Sequence, residues 1–191
     1  MPTPLRSTYQ IKVQLQGAKP PIWRRFLVVD SMSLEDFHDV LQINMGWTNS
    51  HLHQFQLGNA RFGMKDPDFD LGWDMELKDE RDYLIKDLLR AEKDSLIYEY
   101  DFGDSWMHKV TLEKILPFDT THQLPRCVKG KRACPPEDIG GFWGYQEFLS
   151  AWTDPEHPEH EEMRDWAGEY FHGPEWFDVD EVNSILEECF S

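Results

Sequence analysis

His51 and His53 stand two residues apart in Ser50-His-Leu-His53-Gln-Phe55. The alternating run His51 to Leu57 predicts a strand, which puts both imidazoles on one face. Two imidazoles on a face can hold Zn²⁺ when a third ligand approaches, and His108 could supply it. Alternatively, all three are surface or hydrogen-bonded histidines near Trp47. A second cluster lies in Asp101-Phe-Gly-Asp104-Ser-Trp106-Met-His108. An Asp that orients a His is general acid–base hardware, here drawn from Asp101, Asp104 and His108. No nucleophile is visible beside them. The same residues describe a tight turn around Gly103 whose carboxylates satisfy backbone donors.

A basic island follows, with Arg126, Lys129, Lys131 and Arg132, and then Cys134-Pro-Pro-Glu-Asp-Ile-Gly140-Gly141. One expectation is an anion- or partner-binding loop. Arg126, Lys129 and Arg132 would supply charge, and Gly140 and Gly141 would let the backbone approach a ligand at the start of the next helix. The other is a clamp, in which the basic side chains pair with an acidic tail and the prolines pin the loop over the core. Cys127 and Cys134 are too far apart in sequence for a zinc knuckle. A bond between them is geometrically possible, but three cysteines exclude a complete disulfide framework. Asp66-Pro-Asp-Phe-Asp70-Leu-Gly72 invites an EF-hand reading and fails on register: the Gly falls one position late, and Leu77 stands where Glu is required.

The elements that position these residues are legible from periodicity. Tyr9, Ile11, Val13 and Leu15 alternate with polar residues and predict a half-buried strand, and Ile22 to Val29 predicts its hairpin partner. Ser33 caps a helix whose Leu34, Phe37, Val40, Leu41 and Met45 form one apolar face, ended by Gly46. The predicted order is then strand (51–57), a polar excursion (58–82), a short helix or strand edge (83–89), and strands at 95–100 and 107–115. A connector near 117–126 leads to helices at 144–153, 159–170 and 178–189. The last places Val182, Ile185, Leu186 and Cys189 on one face.

The chain has 191 residues and a net charge of −17, distributed unevenly. Residues 1–132 hold 18 basic and 20 acidic side chains, whereas residues 133–191 hold 1 and 16. Eight Trp and 14% aromatics supply enough apolar surface for one solid core. Such acidity opposes non-specific binding to a phosphate backbone, so direct DNA binding is not expected. No run approaches a membrane span and no signal peptide is seen, which predicts a cytoplasmic protein. These readings predict an α+β fold. It comprises a mixed or antiparallel sheet of about five strands with one crossing helix, a β-grasp-like roll over 1–116. An acidic, aromatic-rich helical region over 117–191 packs on it in a single unit.

Several strings together resemble the plasmid pRiA4b ORF-3-like family. They are Ile22-Trp-Arg-Arg25, His51-Leu-His53-Gln-Phe55, Tyr98-Glu-Tyr-Asp-Phe-Gly-Asp-Ser-Trp-Met-His108 and Cys134-Pro-Pro-Glu-Asp138 with Gly140-Gly141. The resemblance covers about 8 to 190 and implies an association with mobile elements, but no catalytic residues. The preferred functional expectation is a non-enzymatic interaction module, with its acidic face toward a protein of basic surface or its 126–141 loop toward an anion. The alternative is a small metal-dependent or acid–base enzyme built from His51, His53, Asp101, Asp104 and His108. No cofactor is required by the pattern, and Zn²⁺ is the ion the histidines would take. Convergence of those five residues decides between the two.

Overall fold

Tyr9, Ile11, Val13 and Leu15 lie on one side of the first strand, β1 (Ser7–Leu15), and all are buried. β1 pairs antiparallel with β2 (Trp23–Val29) through seven residues, from Thr8 opposite Val29 to Gln14 opposite Trp23. The chain then enters α1 (Leu34–Met45). The Ser33 hydroxyl accepts from the Asp36 N–H at 3.0 Å, and Gly46 closes the helix in the left-handed region at φ 91°. Leu34, Phe37, Val40, Leu41 and Met45 are removed from water, as the three- and four-residue spacing predicts. A side chain such as Phe37 contributes about 2–3 kcal/mol by that burial.

The structure is a computed structural model and describes residues 6–65 and 77–191. The 66–72 run weighed as an EF-hand lies outside them. The remaining elements are β3 (His53–Leu57), β4 (Ala60–Gly63), β5 (Leu77–Asp79), α2 (Ile85–Leu88), β6 (Ser95–Tyr100), β7 (Trp106–Pro117) and β8 (Arg126–Lys131). Then come α3 (Gly141–Thr153), α4 (His160–Ala167) and α5 (Val179–Cys189). The strands form one sheet in the order β5-β4-β3-β6-β7-β1-β2-β8. Neighbours are antiparallel except β4 and β5, which run parallel at one edge.

The expected roll of about five strands crossed by one helix is therefore corrected. Among the described residues the fold is α+β with an eight-stranded mixed sheet and five α-helices. The missed strands had no readable alternation. β4 and β5 hold four and three residues within the polar 58–82 stretch. β8 is an edge strand whose Arg126, Lys129 and Lys131 face solvent and whose Cys127 is buried. Edge strands carry charge because one side meets water.

β8 is also protected on its outer side. Asn183 of α5 mimics a neighbouring strand: its Oδ1 accepts from the Cys127 N–H at 2.7 Å and its Nδ2 donates to the Cys127 carbonyl at 3.0 Å. Gly130 leaves room for a ring, since a Cβ there would stand 2.3 Å from Cε1 of Phe177. Within α5, Val182 and Leu186 are buried but Ile185 and Cys189 are exposed, a narrower apolar face than the sequence predicted.

Candidate functional site

Asp101 ends β6 in a left-handed conformation, φ 55°, and opens the turn to β7. Its two carboxylate oxygens have different tasks. Oδ1 accepts from the N–H groups of Gly103 (2.9 Å) and Asp104 (3.3 Å), which is the turn role. Oδ2 is left facing Nε2 of His51 at 3.7 Å. His51 precedes β3 and sits beside Tyr100, their ring centroids 5.9 Å apart.

The third side of this cup comes from the Pro135–Asp138 loop. Asp138 Oδ1 lies 3.0 Å from His51 Nε2, and Glu137 Oε2 lies 3.9 Å away. The loop is clipped to the segment after α1. Trp47 Nε1 donates to the Pro135 carbonyl at 3.0 Å, and the Thr48 N–H donates to Glu137 Oε1 at 2.9 Å. Tyr100 hydroxyl donates to the same Glu137 oxygen at 3.1 Å and accepts from the Ser50 N–H at 3.0 Å. Burial, and then the nearby Glu137 charge, hold the Tyr100 phenol well above the usual range, so it stays a donor.

His51 Nε2 is shut off from solvent, yet among the described residues no hydrogen bond reaches it: Asp138 is out of line, and Asp101 and Glu137 are too far away. Among the described residues, His51, Asp101 and Asp138 are the group whose ligand atoms come within 4.8 Å of one another. Two ligands each ~2.1 Å from one ion stand ~3.0–4.2 Å apart, depending on the angle between them. The separations of 3.0 and 3.7 Å from His51 fall in that interval. An imidazole with carboxylates suits a divalent transition metal of the Zn²⁺ or Mn²⁺ type.

The other predicted residues lie elsewhere. His53 pairs through Nε2 with Glu80 at 2.7 Å and stacks on His38 of α1 at 3.4 Å between centroids. His108 is fully buried under Trp47, with Nδ1 3.3 Å from the Tyr98 carbonyl. Asp104 Oδ2 accepts from the Gly140 N–H at 3.2 Å, and Gly141 packs so closely on Asp104 that a Cβ would stand 2.9 Å from its carbonyl oxygen. The Gly-Gly pair thus makes room for the β6–β7 turn. Arg126 and Lys129 lie on β8, and Arg132 pairs with Glu175 at 2.8 Å. Cys127 and Cys134 are free and buried, and burial pushes the Cys127 thiol up to about 11. Glu137 and Asp138 were missed as site residues, although they sit in a string that carries the family resemblance. The usable signal was the pair of prolines holding two acids rigidly.

Two histidines are kept neutral by the fold. Burial first, and then the neighbouring His53, pull His38 down to about 3 against its bond with Asn49. His38 Nε2 donates to Asn49 Oδ1, so Nδ1 accepts from the Tyr98 hydroxyl. Burial pulls His108 down to about 4. Both values lie below the ordinary 6.5, so the unfolded chain takes up these protons first. Their contribution is complete above pH ~6.5 and is lost as pH falls toward the folded values, each adding a slope approaching ~1.4 kcal/mol per pH unit. Urea unfolding between about pH 6.5 and 4.5 is expected to show a shallower pH slope for His108→Gln than for the parent chain. Equal slopes would contradict this assignment.

Residues 7–181 match the family described as Plasmid pRiA4b ORF-3-like protein. The chain belongs to that family. It is 38% identical over 162 residues to "Uncharacterized protein y4hQ" of Sinorhizobium fredii (strain NBRC 101917 / NGR234), covering 85% of this chain and 81% of that protein. The fold matches the crystal structure of the "Protein of Unknown Function MM3350" from Methanosarcina mazei Go1 with a TM-score of 0.82 and 36% identity. That match covers 93% of this chain and 98% of the other. Three of the strings that carry the family resemblance, at 51–55, 98–108 and 134–138, meet at the cup. Among the described residues no helix is long and apolar enough to cross a membrane.

Proposed function

We propose that this protein is a cation-dependent binding module whose ligand site is the cup of His51, Asp101, Glu137 and Asp138. The observation that carries the reading is His51 Nε2, closed to water, without a hydrogen bond, and faced by three carboxylates at 3.0, 3.7 and 3.9 Å. Three acids around one imidazole need a compensating positive charge. A divalent ion supplies two units of it. Asp138 is mostly exposed and forms the open rim, whereas Asp101 is mostly buried and forms the floor. An ion here would be reached from solvent on the Asp138 side and would retain open positions for a second ligand. The residues form a binding site first, since among the described residues no serine, threonine or cysteine side chain is hydrogen-bonded to the His51 ring as a nucleophile would be.

Isothermal titration of the chelator-treated protein with Zn²⁺, repeated with Mn²⁺, tests the reading. About one equivalent is expected, with Asp101→Asn and His51→Ala weakening it about 100-fold, roughly 2.7 kcal/mol. Uptake below about a tenth of an equivalent of either metal, or binding unchanged in both variants, would refute it.

A further inference from the structure

A groove of about 330 Å³ runs between the β1–β2 turn and one face of α3, and it shares no residue with the cup. Lys19 and Arg132 line it on one side, and Phe142, Tyr145 and Leu149 on the other, with Ser150 beside them. The volume lies at the small end of ligand pockets. In a chain of net −17, this groove has two cations and no carboxylate in its lining.

Each polar wall group has something to offer. Lys19 has no ion pair among the described residues. Arg132 is 94% buried and is held in place by donating from Nη1 to the Pro20 carbonyl at 2.9 Å. Its Nε lies 2.8 Å from Oε1 of the exposed Glu175, but the N–H is out of line and makes no hydrogen bond. Glu175 thus takes the Nε edge of the guanidinium. Tyr145 is 97% buried, and its hydroxyl is turned away from solvent, so the residue offers the groove its ring. The rings of Phe142 and Tyr145 with Leu149 form an apolar wall at helical spacing.

We propose that the groove binds a small monocarboxylate with a compact apolar body, its carboxylate toward Lys19 and Arg132 and its body against Phe142, Tyr145 and Leu149. Charge selects the head group, because the lining offers two cations and no carboxylate. The volume has room for a single ring, since a cavity of about 150 Å³ already holds benzene.

The test uses the full chain labelled with ¹⁵N and benzoate as probe, with benzamide as its uncharged counterpart. Benzoate is expected to shift the amides of residues 142–150 saturably, and benzamide to bind at least about tenfold more weakly. Lys19→Gln lies on an exposed turn and leaves the fold intact. It is expected to weaken benzoate about tenfold and leave benzamide unchanged. No saturable benzoate shift, equal affinity for the two probes, or a Lys19→Gln variant that binds benzoate like the parent would each overturn the proposal. Shifts that map to the cup instead of α3 would overturn it as well.

Discussion

Gly144→Ala is expected to destabilise the protein by about 3 kcal/mol or more and to weaken cation binding about tenfold. Alanine is a better helix former than glycine by about 1 kcal/mol, so propensity alone predicts the opposite sign. Gly144 is the fourth residue of α3, and a Cβ there would stand 1.8 Å from the carbonyl oxygen of Ile139. Real contacts of that kind do not fall below about 3 Å, so backbone must move. Either the first turn of α3 opens, breaking the 3.3 Å bond from the Gly144 N–H to the Gly140 carbonyl, or Ile139 shifts and carries Asp138 with it. Both relaxations reach the cup, because Asp138 precedes Ile139 and Gly140 is tied to Asp104. Urea denaturation with a Zn²⁺ titration reads both quantities. A variant within about 0.5 kcal/mol of the parent, with normal metal uptake, would show that the close approach has no structural weight.

Arg24→Met is expected to cost about 3–5 kcal/mol, although methionine keeps most of the stem's packing. Arg24 is 99% buried, and among the described residues it faces no carboxylate. Its Nε donates to the Asn44 carbonyl at 2.7 Å, and Nη1 donates to the carbonyls of Trp23 (2.9 Å) and Lys131 (3.1 Å). The guanidinium also lies 3.8 Å over the Phe177 ring. Burial holds its pKa below the ordinary arginine range. Three features offset the burial of that charge. Asn44 lies in the last turn of α1, where the helix dipole is negative and no basic side chain of the helix itself is present. The carbonyls bring hydrogen bonds, and Phe177 brings a cation–π contact. The side chain thereby joins α1, β2 and β8. Replacing a buried ion pair by apolar residues is often harmless, but here the partners are backbone carbonyls that cannot be removed with the cation. Arg24→Lys should lose less than Arg24→Met, since an ammonium keeps the charge but cannot span all three acceptors. A methionine variant as stable as the parent would disprove the linking role.

The site was only partly legible in the residues. His51 and Asp101 were named, and they do meet. The expected metal ligands beside His51 were His53, because strand period 2 puts the two rings on one face, and His108 from the later hairpin. Period constrains the side of the sheet and says nothing of what lies across from it. His53 is taken by Glu80 and His38, and His108 by the Tyr98 carbonyl. The acids that actually face His51 stand 86 and 87 residues further along the chain. No spacing rule covers that separation, and the loop that brings them back is anchored by Trp47 and Tyr100.

Periodicity and capping chemistry determined β1, β2, α1, β6 and β7, and the start of α5 at Asp178, because each depends on groups a few residues apart. Burial along Leu34, Phe37 and Leu41 follows from the same short range. Tertiary structure alone decided three things. It made an edge strand of the basic 126–131 segment, since Asn183 supplies the missing hydrogen bonds from α5. It split the two Asp101 oxygens between a turn and a cup, since that division depends on where His51 arrives. It buried Arg24, whose charge is tolerated only where three carbonyls from separate elements converge. Local patterns record the preferences of neighbours along the chain, whereas these outcomes depend on groups that become neighbours only after the sheet has formed.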